Sequence, residues 1–393
     1  MTQAFSVSGR MIGDEAPPLI VAEMSGNHNG SLERALQIVE AAAKAGAHAF
    51  KIQTYRADTM TLDVDQGNFR IDDQESLWSG KTLYELYAEA YTPWEWHRPI
   101  LERCRELGMI GFSTPYDATA VDFLETLDVP IYKIASFELT DLPLIRRVAA
   151  TGKPILMSTG MATVAEIDEA VRTARASGCR QLVLLKCTSS YPASPAASHL
   201  RTIPQLLQLF GGGRGWHGEP VSAATRTGRW PGAGSEGQGA GGAMAVQVGL
   251  SDHTLGIGVA VAAVALGASV IEKHVTLSRA DGGVDAAFSL EPHELAMLVT
   301  ETERAWQALG QVHFGPLPGE STSLAHRRSL YVAEDMAAGE LFTAQNLRVV
   351  RPGHGLPPKY YETLLGRAVN RPVAKGTPVT WDVLLPRKNS GDE

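Results

Sequence analysis

The sequence predicts an α/β protein: a (β/α)8 barrel followed by a small, mostly β domain. Three observations carry that expectation. Between residues 18 and 309, eight short β-branched or apolar runs recur with amphipathic segments between them. The stretch 326–388 breaks the alternation with short strand-like runs and several glycines. The chain has 393 residues, 44% hydrophobic and 20% charged, a soluble globular balance in a chain too long for one ordinary core.

The eight runs are PLIVAEM (18–24), AFKIQT (49–54), MIGFST (109–114), PIYKIAS (130–136), PILMST (154–159), QLVLLKCT (181–188), VQVGLS (246–251) and SVIEKHV (269–275). Helical patterns such as 31–46 and 164–178 open near Ser or Thr and close near Gly, the usual capping preferences. Eight strand–helix units is the count of a TIM barrel. An open doubly wound sheet would carry a Gly-rich GxGxxG turn after its first strand, and AEMSGNHNG (22–30) carries none. Residues 55–90 form a long excursion after strand two, rich in Asp and aromatics, as functional loops leaving a barrel are. Residues 211–245 are dense in Gly and poor in apolar side chains, so they read as a flexible insertion on the face opposite the active site. An amphipathic helix near 293–309 closes the barrel domain, 1–310; 311–325 reads as a linker and 326–388 as the second domain.

Charge and cysteines narrow the function. A formal charge of -8 argues against nucleic-acid binding, which needs a basic face. No apolar run is long enough to span a membrane, and MTQAFSVSGRMIGDE lacks the pattern of a signal peptide. Cys104, Cys179 and Cys187 form no CxxC pair and leave one over, which fits reduced thiols and a cytoplasmic location.

Catalytic groups of such barrels sit at the C-terminal strand ends, and here those ends are polar. Strand one ends in Glu23, and strand two carries Lys51 and Gln53. Strand three ends at Thr114, strand four at Lys133, Ser136 and Glu138, and strand five at Ser158. Strand six ends at Lys186 and Ser189, strand seven at Ser251 and His253, and strand eight at Glu272, Lys273 and His274, with Asp285 beyond. Lys51 and Lys133 with the hydroxyls of Ser136, Ser158 and Ser251 suit a phosphate. His253 and His274 admit two readings: a shared metal with open positions for water and substrate, or imidazoles each bonded to a carbonyl. Glu23 lies across the barrel as a base or charge stabiliser. For His28, in SGNHNG, a turn residue is the preferred reading over a role in the site.

At these residues the sequence resembles the sialic acid synthase family. AEMSGNHNG (22–30), KIQTY (51–55), STPYD (113–117), YKIASFE (132–138), STGMA (158–162), KCTSSYP (186–192), GLSDHTLG (249–256), EKHVTLSRADGGVDAAFSLEP (272–292) and RRSLYV (327–332) carry the likeness in family order. It implies a TIM barrel with an antifreeze-like (SAF) domain at 326–388, in a domain-swapped homodimer. It also implies a reaction: C3 of phosphoenolpyruvate adds to an amino-sugar aldehyde, water attacks C2, and phosphate leaves by C–O cleavage. By motif match, Lys51, Thr114, Lys133, Ser136, Ser158, Ser189 and Ser251 hold phosphoenolpyruvate. His253 and His274 bind a divalent metal, usually Mn2+, with Mg2+ or Co2+ as substitutes, and Glu23 activates water or stabilises the cationic intermediate. Gln53, Glu138, Tyr191 and Asp285 line the sugar site, and Arg327 or Arg328, with Arg328 preferred, reaches in from the partner. Two features depart from the family: Ser189 stands where Asn is common, and 211–245 has no counterpart.

The phrases at 22–30, 76–97 and 277–292 resemble the branch that uses 2,4-diacetamido-2,4,6-trideoxy-L-altrose. Three alternatives stand beside it. One is the same chemistry on a neuraminic or legionaminic precursor. Another is a Schiff-base aldolase using Lys133 or Lys186 with pyruvate. The third is a carbohydrate-binding protein without catalysis.

Overall fold

The computed structural model describes residues 3–74, 76–211 and 244–386. The predicted Gly-rich insertion lies, apart from its ends, outside the described residues. The chain divides into two compact units, Met1–Gly310 and Gln311–Glu393.

The first unit opens with a hairpin, β1 (Phe5–Val7) and β2 (Arg10–Ile12), which sequence reading missed. Its turn at Ser8–Gly9 has positive φ at both residues (49° and 84°), the conformation of a tight hairpin. Eight strands then follow: β3 (Leu19–Glu23), β4 (Ala49–Thr54), β5 (Ile110–Pro115), β6 (Tyr132–Ile134), β7 (Ile155–Ser158), β8 (Gln181–Cys187), β9 (Ala245–Asp252) and β10 (Val270–His274). They close in the order β10-β3-β4-β5-β6-β7-β8-β9, every neighbouring pair parallel. Each predicted barrel run is therefore a strand of one closed (β/α)8 barrel, as the sequence predicts.

Strand parity divides the core in two. Ile20, Phe50, Ile52, Met157, Leu182, Leu184 and Val248 face the helices and join their apolar stripes. The helix Leu32–Lys44 contributes Ala35, Ile38, Val39 and Ala42, spaced by three, one and three along one face, and is capped by Ser31 accepting from Arg34 N. Side chains of the other parity fill the interior: Leu19, Val21, Ala49, Phe112, Leu156, Val183, Leu185 and Val270, together with Phe5, Val7 and Ile12 of the hairpin. The hairpin thus plugs the N-terminal end of the barrel, and the C-terminal end is left to polar side chains. Among the described residues no helix is long and apolar enough to cross a membrane.

In the second unit, β11 (Ser329–Val332) pairs antiparallel with β12 (Leu347–Val350) over a core that includes Leu330, Phe342, Leu364 and Val379. The strand expected at PVTWDVLL does not form. Trp381–Val383 is a 3-10 turn, with single bridges at Pro378 and Leu384. Pro378 has no N–H for a ladder, and the Thr380 hydroxyl bonds the Asp382 carboxylate, which turns the chain locally. The stretch read as a linker holds short helical turns at Pro318–Glu320 and Ser321–Leu324.

Candidate active site

The inward parity that supplies apolar side chains near the N-terminal end supplies Glu23, Lys51, Gln53, Lys133, Ser158, Cys187, Ser251, His253, Glu272 and His274 at the other. All line, or lie directly beneath, one cavity of about 460 Å³. Burial there removes water, so the charged groups must satisfy one another.

They do so as a quartet. Glu23 Oε2 lies 2.5 Å from Lys51 Nζ, and Lys133 Nζ donates to Glu272 Oε1 at 2.8 Å. Lys51 is also 4.0 Å from Glu272 and donates to Thr114 at 3.0 Å. Ser251 Oγ donates to Glu272 at 3.0 Å, and Gln53 Nε2 to Glu23 Oε1 at 3.0 Å. Two lysines and two carboxylates leave the quartet close to neutral. Burial alone pushes the Glu272 carboxyl up, but Lys133 and Lys51 overcome it and hold it at about 2. Complete burial raises Glu23 above its ordinary value, with Lys51 opposing and the Glu272 charge assisting. Two neighbouring carboxyls are thereby separated: Glu272 is a fixed anion, and Glu23 is the better proton acceptor.

Sequence reading placed Glu272 at a strand end and assigned it no role. Parity alone reveals it, since Val270 faces inward and Glu272 and His274 must follow. Ser25 was also missed. It has a φ of 49°, its hydroxyl bonds Asp285, and it accepts from Gln53 at 3.1 Å, so it ties the first strand end to the loop after β10. Lys186 has the outward parity and bonds Cys187 O and Thr188, away from the lysine pair.

The anion-suited hydroxyls converge around Gly160. A Cβ there would collide with Ser189 Oγ and meet Ser136 Oγ at 2.7 Å, so the glycine keeps open a notch between the two hydroxyls. Ser158 Oγ is buried beside it without a hydrogen-bond partner among the described residues. Thr114 sits behind Lys51 and orients it. Glu138 is half-buried on the cavity wall, and burial, outweighing its own backbone amide and Lys133, raises its carboxyl to about 7.

His253 and His274 face each other with ring centroids 5.2 Å apart. His253 Nδ1 donates to Thr188 O at 3.1 Å, so Nε2 is the nitrogen left for a ligand; burial lowers this imidazole but Cys187, Thr188 O and Glu272 raise it above its ordinary value, so a cation there displaces a proton from Nε2. The two readings open in the sequence are therefore compatible for this residue. His274 Nδ1 is buried with no hydrogen-bond partner among the described residues, 3.7 Å from Asp285. Burial, then His253 and the lysines, keeps His274 neutral, as a ligand must be. These two imidazoles fit a divalent cation. Among the described residues no three His, Cys, Asp or Glu groups close a full cage, so other positions would remain for water and substrate. His28 is a turn residue: its Nδ1 accepts from Gly30 N at 3.1 Å and its ring packs edge-on to Trp96.

Tyr191 packs between this pair and the outer cavity, its ring tilted against His253 and Phe288 at centroid distances of 4.6 Å and 5.5 Å. Arg327 and Arg328 are exposed on the second unit.

Residues 38–226 and 240–314 match the NeuB family, and residues 327–385 the SAF domain. A Campylobacter jejuni protein named pseudaminic acid synthase is 39% identical over 360 residues, covering 91% of this chain and 94% of its own length. A Helicobacter pylori protein of the same name is 36% identical over 369 residues, covering 93% and 97%. The crystal structure of an N-acetylneuraminic acid synthetase from Leptospira borgpetersenii, in complex with citrate, superimposes with a TM-score of 0.66 at 29% identity, over 82% of this chain and 96% of that one.

Proposed function

The chain belongs to the NeuB family, and from that premise we infer that it condenses phosphoenolpyruvate with 2,4-diacetamido-2,4,6-trideoxy-L-altrose and water, giving pseudaminic acid and phosphate. The observation that carries the reading is the buried quartet beside an open hydroxyl notch, next to two imidazoles poised as ligands. A trianionic phosphoenolpyruvate suits two lysines only if the site can also accept its extra negative charge, and the unpaired Ser158 hydroxyl and the Gly160 notch supply neutral donors for it.

In this reading Lys51, Lys133, Ser136, Ser158, Ser189 and Ser251 hold the carboxylate and phosphate, with Thr114 positioning Lys51. His253 and His274 hold a divalent cation, with Mn2+ the preferred ion and Mg2+ or Co2+ as substitutes. When bound, the cation supplies Lewis-acid polarisation of the aldehyde oxygen. C3 of phosphoenolpyruvate forms the new bond to the aldehyde carbon, leaving positive charge at C2, and Glu272 and Glu23 offset that charge. Glu23, a stronger base than an ordinary carboxylate because it is buried, takes the proton of the water that adds to C2. The tetrahedral adduct then expels phosphate with the bridging oxygen; the C2 hydroxyl proton leaves with the phosphate as the ketone forms, and the proton held on Glu23 goes to the oxygen of the former aldehyde. Gln53, Glu138, Tyr191 and Asp285 contact the sugar.

The lysine-aldolase reading is weaker on the same geometry: Lys133 is paired with Glu272, and Lys186 points out of the barrel. For the assembly, the reading is a domain-swapped homodimer in which Arg328 completes the partner's site. Phe137, Met161 and Leu255, on loops leaving β6, β7 and β9 at the mouth, are 60%, 64% and 57% exposed, an apolar rim suited to cover by protein.

Phosphoenolpyruvate labelled with 18O in the bridging position tests the chemistry. Label recovered in phosphate, with turnover abolished by EDTA and restored by Mn2+, supports it. Label retained in the sugar acid, or borohydride trapping of pyruvate on a lysine, refutes it.

A further inference from the structure

The cavity has two halves of different character. Its floor is the polar set of strand ends, and its outer wall comes from the excursion after β4 and is largely apolar, with Met60, Ile71, Trp78 and Leu83 beside Asp73 and Ser76. The excursion is built rather than loose. Ile71 N donates to Lys81 O at 2.9 Å and Gly80 N to Ile71 O at 2.8 Å, which ties Ile71 to Gly80 and Lys81. Thr82 and Glu85 form a capping box that starts the helix Leu83–Ala90 at the loop's foot. The tip is fastened across the mouth, where Trp78 Nε1 donates to Val284 O at 3.0 Å, one residue before Asp285. The Trp78 ring lies 6.1 Å from Tyr191, which lies 4.6 Å from His253.

This gives a direction. If the sugar aldehyde sits at the imidazole pair, C1 is at His253 and His274 and the neighbouring C2 substituent meets Tyr191 and Phe288. Groups on C4, three carbon–carbon bonds from C1, then reach the next ring, Trp78. The wall offers those groups mostly apolar surface and an indole face, with Asp73 and Ser76 as its polar members. We infer that Trp78 and the excursion it fastens are the specificity wall for the acceptor, holding the methyl of an acetamido group at C4 and disfavouring a hydroxyl there. This rests on the acceptor proposed above and goes beyond it, because it assigns discrimination at C4 to a segment outside the barrel strands.

A buried methyl is worth about tenfold or more in discrimination, whereas a group that stays in water contributes little. The experiment measures kcat/KM for the 2,4-diacetamido-2,4,6-trideoxy aldose and for its analogue with hydroxyl in place of the 4-acetamido group. Unmodified protein, Trp78→Ala and Trp78→Phe are compared. Trp78→Ala is expected to lower kcat/KM for the diacetamido sugar roughly tenfold and for the analogue less than about twofold, with KM for phosphoenolpyruvate unchanged. Trp78→Phe, which keeps an aromatic wall, is expected to retain most of the preference. If Trp78→Ala does not fold, Ile71→Ala tests the same wall with the same expected loss of preference. Equal losses for both sugars, or a rise in KM for phosphoenolpyruvate, would show a merely structural role and overturn the inference while the acceptor reading stands. No turnover of the diacetamido sugar by the unmodified protein would overturn the acceptor reading and this inference together.

Discussion

Glu272→Gln perturbs the site at its electrostatic centre. The carboxylate holds Lys133 at 2.8 Å and Lys51 at 4.0 Å, and all three are buried. At an effective dielectric near 20 the gross attractions are about 6 and about 4 kcal/mol. Much of that offsets the cost of burying the ions. Removing one partner of a buried pair, which strands the other charge, typically costs about 3–5 kcal/mol. At about 2 °C per kcal/mol for a large domain, the melting temperature should fall by roughly 6–10 °C. The amide leaves the cavity with one uncompensated positive charge. Inorganic phosphate should therefore raise the melting temperature of the variant more than that of the unmodified protein, since a ligand at 100 times its Kd adds about 2.7 kcal/mol. The assay is thermal unfolding with and without phosphate. A variant that melts within about 1 °C of the unmodified protein, with the same phosphate response, would refute the idea that Glu272 neutralises the lysine pair.

Three further outcomes are expected. Gly160→Ala fills the notch between Ser136 and Ser189, and loss of one donor to a charged ligand, about 1.5–3 kcal/mol, should raise KM for phosphoenolpyruvate at least tenfold with little change for the sugar; an unchanged KM would mean the notch holds no anion. Glu138, raised to about 7 by burial, binds more protons folded than unfolded, so its contribution to stability is complete below pH 4.5 and lost as pH rises towards 7. Glu138→Gln removes that loss, and because the side chain is only half-buried its gain over the unmodified protein should reach about 2 kcal/mol above pH 8 and vanish near pH 4.5; a pH-independent difference in urea unfolding would count against it. Finally, inactive Glu23→Gln and Arg328→Ala proteins, unfolded and refolded together, should regain about a quarter of full activity if each site draws Arg328 from its partner. No recovery would place both residues in the same chain's site.

The barrel was legible because burial on both faces makes every strand a near-continuous apolar run, and because the strand ends break that run with Lys, Glu, His and Ser. The residue types marked the candidate site, since Lys51, Lys133 and His253 have little structural reason to stand there, but chemistry left His253 and His274 open between two readings and the metal reading came with the family resemblance. Glu272 was overlooked because its value lies in pairing with Lys133, 139 positions away in sequence, and such a contact is visible only once parity and strand order are known. Ser25 acts through a positive φ and a bond to Asp285, and neither is written in residue type. The hairpin at Phe5–Ile12 had a local signal, the Ser8–Gly9 turn between Phe5, Val7 and Ile12, but its three-residue strands are too short for periodicity to register. Trp78 was seen as one aromatic in an excursion; only the bond to Val284 turns it towards the cavity.

The most direct measurement is a competition. The purified protein is given phosphoenolpyruvate, Mn2+ and equal concentrations of 2,4-diacetamido-2,4,6-trideoxy-L-altrose and N-acetylmannosamine, and the nonulosonic acids are weighed by mass spectrometry against phosphate released. Pseudaminic acid as the dominant product, equal in amount to phosphate, is the expected result. Dominant N-acetylneuraminic acid, or phosphate released without a sugar acid, would contradict it.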